Sequence, residues 1–211
     1  MATQSHTTAN TEARIIDAAR ELFIENGFAA TSMSDIAARA GINRPVLHYY
    51  FRTKDRMFKA VFSGIVDEIV PRVQGIILRR DLPPEERVGM VVDVYYDVLT
   101  ANPSLPVFLM REMQRDFSNV AATMRELHIV QYFDTIKHGL LGEMDSGQLC
   151  RVELRYIFMT FYSMVIMPFV AKNLCCAVLL DEGETFGELL AKWKPHIVTT
   201  IVEMLKPKGQ G

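Results

Sequence analysis

The stretch SMSDIAARAGINRPVLHYYF, residues 32–51, reads as two short helices joined by a tight turn. Ser32 with Asp35 three residues on forms a capping box, which starts the first helix by satisfying its free N–H groups. Ile36, Ala37 and Ala40 supply an apolar face, and the small alanines allow a second helix to approach closely. Gly41 permits the backbone reversal, Ile42 is an apolar peg beneath the turn, and Asn43 caps the second helix. Pro45 is tolerated in the first turn, where its missing N–H has no partner to lose. This is the helix-turn-helix layout, in which the first helix braces the second against the major groove of DNA. Arg44, Val46 and His48 are then offered to base edges, Arg44 having the donors that match guanine O6 and N7. Tyr49, Tyr50 and Lys54 are placed to reach phosphates, Lys54 at a helix start whose dipole also favours an anion.

Outward from this motif the signals are helical. Ile15, Ile16, Ala19, Leu22 and Phe23 recur at the spacing of one helix face over 12–26, and Asn26-Gly27 ends it. Thr53 caps a helix expected over 54–80, followed by five more over 85–101, 104–117, 120–144, 149–173 and 184–205, each bounded by Pro, Gly, Asn or Ser. No segment alternates in the manner of a strand, so the expected fold is all-α with about nine helices. The expected organisation is a three-helix DNA-binding domain over 10–55 and a larger helical domain over 56–206, with a frayed tail from Pro207.

Composition bounds the function. Of 211 residues 49% are hydrophobic, so a sizeable core is available. The net charge of -2 argues against a nucleic-acid binder, but it averages two unlike parts. Between Arg39 and Lys59 there are six basic residues and one acid, whereas residues 61–211 carry 15 basic and 19 acidic ones. A small basic surface on an acidic body fits contact with a polyanion through one face. The three cysteines (Cys150, Cys175 and Cys176) have no metal-ligand spacing, and a reducing, cytosolic compartment is the expectation. The polar opening MATQSHTTAN lacks the apolar core of a signal peptide, and no run reaches the ~20 apolar residues of a membrane span. No glycine-rich phosphate loop, nucleophile elbow or metal cluster is present, so neither an enzyme, a metal nor a cofactor is expected.

Residues 12–58 resemble the N-terminal domain of the tetracycline-repressor (TetR/AcrR) family of transcriptional regulators. The run that carries the resemblance is Ile15-Ile16-Asp17-Ala18-Ala19, Leu22-Phe23, Gly27-Phe28, Thr31-Ser32, Asp35-Ile36-Ala37, Ala40-Gly41-Ile42, Leu47, Tyr49-Tyr50-Phe51, Lys54 and Met57-Phe58. The resemblance implies a homodimer on double-stranded operator DNA, repression rather than activation, and a helical effector domain. It also implies that Thr31 or Ser32, Arg44, Tyr49, Tyr50 and Lys54 contact DNA. Pro45 and His48 depart from the family pattern, which has a small residue and often Tyr there.

Beyond residue 58 no motif stands out, but Met and aromatic side chains cluster in two stretches. A lining of that kind suits a flexible apolar ligand, and a polar minority within it would orient the ligand. The expected effector site is Phe108, Arg111, Met124, His128, Tyr132, Phe158 and Tyr162, for a small lipophilic molecule with one or two hydrogen-bonding groups. The helices expected over 149–173 and 184–205 are the candidates for the dimer face, the second through the stripe Leu189, Leu190, Trp193, Ile197, Ile201, Val202 and Leu205, with Trp193 as anchor. The competing reading is a helical adaptor whose N-terminal domain contacts protein instead of DNA.

Overall fold

The computed structural model describes residues 2–207, with side chains from Asn10 onward; the expected tail beyond Pro207 lies outside the described residues. The described residues form eleven α-helices and no strand: α1 (Ala2–Asn26), α2 (Met33–Arg39), α3 (Arg44–Tyr50), α4 (Lys54–Ile77), α5 (Pro84–Ala101), α6 (Leu105–Arg115), α7 (Phe117–Glu126), α8 (Ile129–Asp145), α9 (Leu154–Val170), α10 (Lys172–Val178) and α11 (Phe186–Leu205). The all-α expectation holds, and the count rises from nine to eleven because two expected helices are broken. The segment expected over 120–144 divides at His128, a non-glycine residue in the left-handed region (φ 55°) that no Gly or Pro marks in advance. The segment over 149–173 bends by 73° between α9 and α10. Near that bend Pro168 lies inside α9 and has no N–H to give the Met164 carbonyl one turn back. The indole Nε1 of Trp193 donates to that carbonyl instead, at 3.0 Å.

The chain packs as two compact units. The first runs through Asp67 and includes Val107–Leu127; the second holds Glu68–Pro106 and the chain from His128 onward. In the first unit α1 buries Ile15, Ala18, Ala19, Leu22 and Phe23, the i, i+3, i+4 face of an amphipathic helix. An aromatic cluster forms around Phe23: Phe28, Phe58 and Phe108 lie at ring-centroid distances of 5.4, 6.5 and 6.4 Å. Burial of rings of this size dominates such a core. In the second unit α5, α9 and α11 pack mutually, with Val92, Val98, Val165 and Ile197 at their centre. The α4 helix begins in the first unit and ends in the second, and Pro71 inside it leaves the carbonyl of Asp67, the last residue of the first unit, without its helical N–H partner. Among the described residues no single helix is long and apolar enough to cross a membrane.

Candidate nucleic-acid interface and effector cavity

The motif folds as its caps dictate. Ser32 Oγ accepts from the Asp35 N–H (3.2 Å) while Asp35 Oδ2 accepts from the Ser32 N–H (2.8 Å), and the Ser32 hydroxyl, then its N–H, hold the Asp35 carboxyl below the usual carboxylate range. Asn43 Oδ1 accepts from the Val46 N–H at 2.9 Å, and so starts α3. Between the helices Gly41 takes φ 66°, and a Cβ there would stand 3.3 Å from Arg14 Nη2. That guanidinium donates to the Ala40 carbonyl at 2.6 Å and ties the turn to α1. Both constraints select glycine.

α3 keeps one side chain out of water. Leu47 is fully buried, whereas Arg44, Pro45, Val46, His48 and Tyr49 are exposed, Tyr49 by 80%. Tyr50 is half-buried and meets the Tyr49 ring edge-on at 5.3 Å. Arg44, Arg52 and Arg56 make no ion pair among the described residues, in contrast to Arg39, which is held by Glu21 and Glu25 on α1. A short helix anchored by one leucine, with its remaining face and nearby guanidiniums open to solvent, matches the shape and charge of a duplex groove.

Two expected contacts are corrected. Thr31 is only 2% exposed, and its hydroxyl donates to the carbonyls of Leu22 (3.1 Å) and Gly27 (2.9 Å), so it closes the α1–α2 loop and is not available to DNA. Lys54 Nζ donates to the carbonyls of Phe28 (2.7 Å), Ala29 (3.4 Å) and Thr31 (3.0 Å) and sits 4.4 Å from the centre of the Phe28 ring. Its ammonium braces the loop in front of α2, where a phosphate contact was expected. Arg115 covers the same ring at 4.5 Å, and it pairs with the buried Glu112 at 2.7 Å. Asn43 and Ser32 act here as caps.

The second unit has a partly open cavity of about 90 Å³ between α4, α5, α8, α9 and α11. Its walls are apolar, among them Val91, Ile136, Leu140, Ile157 and Phe161, and three polar side chains reach it: Arg87, Tyr95 and Tyr162. The two tyrosine hydroxyls lie 2.9 Å apart with their rings edge to face. Burial pushes the Tyr95 hydroxyl well above its ordinary value, assisted by its neighbour Tyr162, and burial also raises Tyr162. Arg87 is buried, as is its partner Glu143. Its Nη1 and Nη2 donate to Glu143 Oε1 and Oε2 at 2.8 and 2.7 Å, and Nη1 also donates to the Ile77 carbonyl at 2.8 Å.

Of the expected effector residues only Phe158 and Tyr162 line this cavity. Phe108 and Met124 belong to the first unit, where Phe108 packs on Phe23 and Phe58. Arg111 and His128 are exposed, and Tyr132, half-buried, is not in the cavity wall. The residues missed are Arg87 and Tyr95. Their signal was a charged and a phenolic side chain on the apolar stripe Val91, Val94, Val98 of α5. The expected dimer stripe is corrected as well: Leu190, Ile197, Ile201, Val202 and Leu205 are buried inside the protomer, and Trp193 is turned to α9. Exposed apolar side chains lie on the other candidate helix, at Tyr156, Met159 and Met167 of α9, and at Leu174, Val178 and Leu179 on and just after α10.

Fold and motif together define a helix-turn-helix DNA-binding protein whose second unit holds an apolar cavity. Residues 15–61 match the family of bacterial regulatory proteins named tetR. The chain is 25% identical over 153 residues to the fatty acid metabolism regulator protein of Bacillus subtilis (strain 168), covering 70% of this chain and 77% of that one. It is 33% identical over 86 residues to the HTH-type transcriptional activator FasR of Mycolicibacterium smegmatis, covering 41% of this chain and 39% of that one. Its fold is that of the transcriptional regulator FadR from Bacillus subtilis, solved in complex with stearoyl-CoA (TM-score 0.70, 17% identity, 92% and 99% of the two chains). Residues 15–61 carry the tetR-type regulatory domain, and the chain is a DNA-binding transcriptional regulator.

Proposed function

We propose that the protein is a homodimeric repressor, acting in the cytoplasm, that leaves its operator when a small lipophilic effector enters the cavity of the second unit. The observation that carries the reading is the α3 helix, where a single buried leucine leaves Arg44, Pro45, Val46, His48 and Tyr49 open to a duplex. Arg44 and His48 read base edges; Ser32, Tyr49, Tyr50, Arg52 and Arg56 contact phosphates. The role first expected of Lys54 passes to the positioning of the loop that holds α2. A dimer is required because one such helix reads few bases, and two half-sites about 34–36 Å apart raise both affinity and specificity. The exposed apolar face of α9 and α10 supports a second copy there.

A lipid-derived effector is supported by the apolar cavity, by the fatty acid metabolism regulator among the relatives and by the stearoyl-CoA in the FadR complex. Effector binding acts on the first unit through the chain itself, which passes from one unit to the other at Asp67–Glu68 in α4, at Pro106–Val107 in α6 and at Leu127–His128. Because Lys54 at the start of α4 holds the loop before α2, a shift of α4 moves the recognition helix. The coupling needs to supply about 1–3 kcal/mol, as is common for linked sites.

The test is a selection of bound sequences from random duplex DNA, followed by titration of the selected operator complex with medium-chain alcohols, esters and thioesters. A palindromic consensus and release of DNA by at least one of these compounds is the expected result. A selection that yields no consensus, or a complex indifferent to every compound, contradicts it.

A further inference from the structure

The open face of α3 divides into two chemically different halves. With about 100° between successive residues and Leu47 as the buried anchor, Arg44 and His48 fall on one side of that face. Pro45 stands nearly opposite Leu47, and Val46 lies on the flank away from Arg44. Both are exposed, Val46 by 37%, and neither offers a hydrogen-bond donor. Pro45 has no N–H, and the Val46 N–H is taken by Asn43 Oδ1 at 2.9 Å. A proline ring and two valine methyls are what this half of the helix presents to a duplex. Among the groups that base pairs show in the major groove, one is apolar: the pyrimidine C5-methyl of thymine. Apolar side chains pressed on the amino group of cytosine or the O6 and N7 of guanine would desolvate polar groups without pairing them, which costs free energy. Against a C5-methyl the same contact removes apolar surface from water on both sides. Arg44 fixes where the contact falls. Consecutive Cα atoms are about 3.8 Å apart and successive bases about 3.4 Å, so Pro45 and Val46 reach the steps beside the one that Arg44 reads.

We propose that Pro45 and Val46 read the C5-methyl group of a pyrimidine within about two base pairs of the guanine that Arg44 reads. This inference rests on the operator reading above and sharpens it. Arg44 chooses its base by hydrogen bonding, and the apolar pair chooses by the presence of one methyl group. Thymine supplies that group with O4 beside it; 5-methylcytosine supplies it with an amino group beside it.

The experiment takes the operator selected from random duplex DNA and measures binding of the full chain by fluorescence anisotropy. Thymines are replaced one at a time by uracil, which removes the methyl group alone, and by cytosine or 5-methylcytosine. At one thymine beside the Arg44 position, uracil is expected to weaken binding about fourfold, and 5-methylcytosine to exceed cytosine by a similar factor. Thymine binding more tightly than 5-methylcytosine assigns the site to thymine; the reverse order assigns it to methylated DNA. The second arm is Val46→Ser, alone and with Pro45→Ser, at exposed positions where melting is expected to stay nearly unchanged. The single change is expected to lower the thymine-to-uracil ratio and the double change to bring it within about 1.5-fold of unity. Equal binding of thymine and uracil at every position overturns the inference, as does a folded double variant that keeps the preference for the methyl group; in both cases recognition through Arg44 stands. A selection that yields no consensus removes operator recognition, and the inference with it.

Discussion

Arg44 and Arg87 mark two regions built on opposite terms. Arg44 opens a helix that buries one leucine and gives the rest of its surface to solvent, and its charge is unpaired among the described residues. Arg87 sits in a helix that buries seven side chains, and its charge is cancelled by Glu143. The first arrangement suits a polyanion, whose many phosphates attract free charge. The second suits the interior of a helical unit, because a buried site tolerates charged groups only when their charges are balanced. The same residue type thus stands free on an exposed helix at one place and is locked into a buried ion pair at another.

That contrast sets the order of effects. Glu143→Ala leaves Arg87 buried without its counter-ion and is expected to lower stability by about 3–5 kcal/mol. For a chain of this size that corresponds to a fall of roughly 6–20 °C in melting temperature, measured by calorimetry. A fall of a degree or less would mean that water reaches the pair.

Arg44→Ala should do the reverse: melting is unchanged, while operator affinity falls by about 1–3 kcal/mol and discrimination relaxes at one base position. Its control is Thr31→Val, which strands a loop carbonyl and costs about 1–3 kcal/mol of stability instead. Equal loss of affinity with unaltered melting in both variants would break the distinction between an exposed reader and a buried loop closure.

The smallest effect is at Tyr96, whose hydroxyl is buried without a partner among the described residues and whose ionisation is pushed up to about 12 by burial and by Asp93. A raised value in the folded state means that its contribution is fully present below the ordinary tyrosine range and is lost as pH rises toward the folded value. Tyr96→Phe is therefore expected to leave neutral-pH melting unchanged or slightly higher and to reduce the loss of stability above about pH 10. A lower melting temperature at neutral pH would reveal a hydrogen bond at that hydroxyl.

The first sixty residues were legible because their signals are local. Caps at Ser32 and Asn43, a positive-φ glycine at 41 and an i, i+3, i+4 face on α1 each act within a few residues, and each is found where the sequence places it. Thr31 and Lys54 were misread for the same reason. Their partners, the carbonyls of Leu22, Gly27 and Phe28, lie 9, 4 and 26 residues away, and no spacing announces them. In the second unit the cavity depends on pairings across the chain, such as Arg87 with Glu143 at a separation of 56 residues. Each of the two interrupts an apolar stripe with opposite charge, on α5 and on α8, and that was the available clue. The breaks at His128 and Ala171 had weaker signals still, since a left-handed histidine is chosen by tertiary packing and not by local preference.

The most direct measurement is fluorescence anisotropy of a labelled operator duplex with the unmodified chain and with an Arg44→Ala, His48→Ala variant, across a series of salt concentrations. Binding through the open face of α3 predicts that affinity falls steeply and linearly on logarithmic axes as salt rises, and that the variant binds weakly and without sequence preference at unchanged melting temperature. Salt-independent binding, or a variant that occupies the operator as well as its parent, would contradict it.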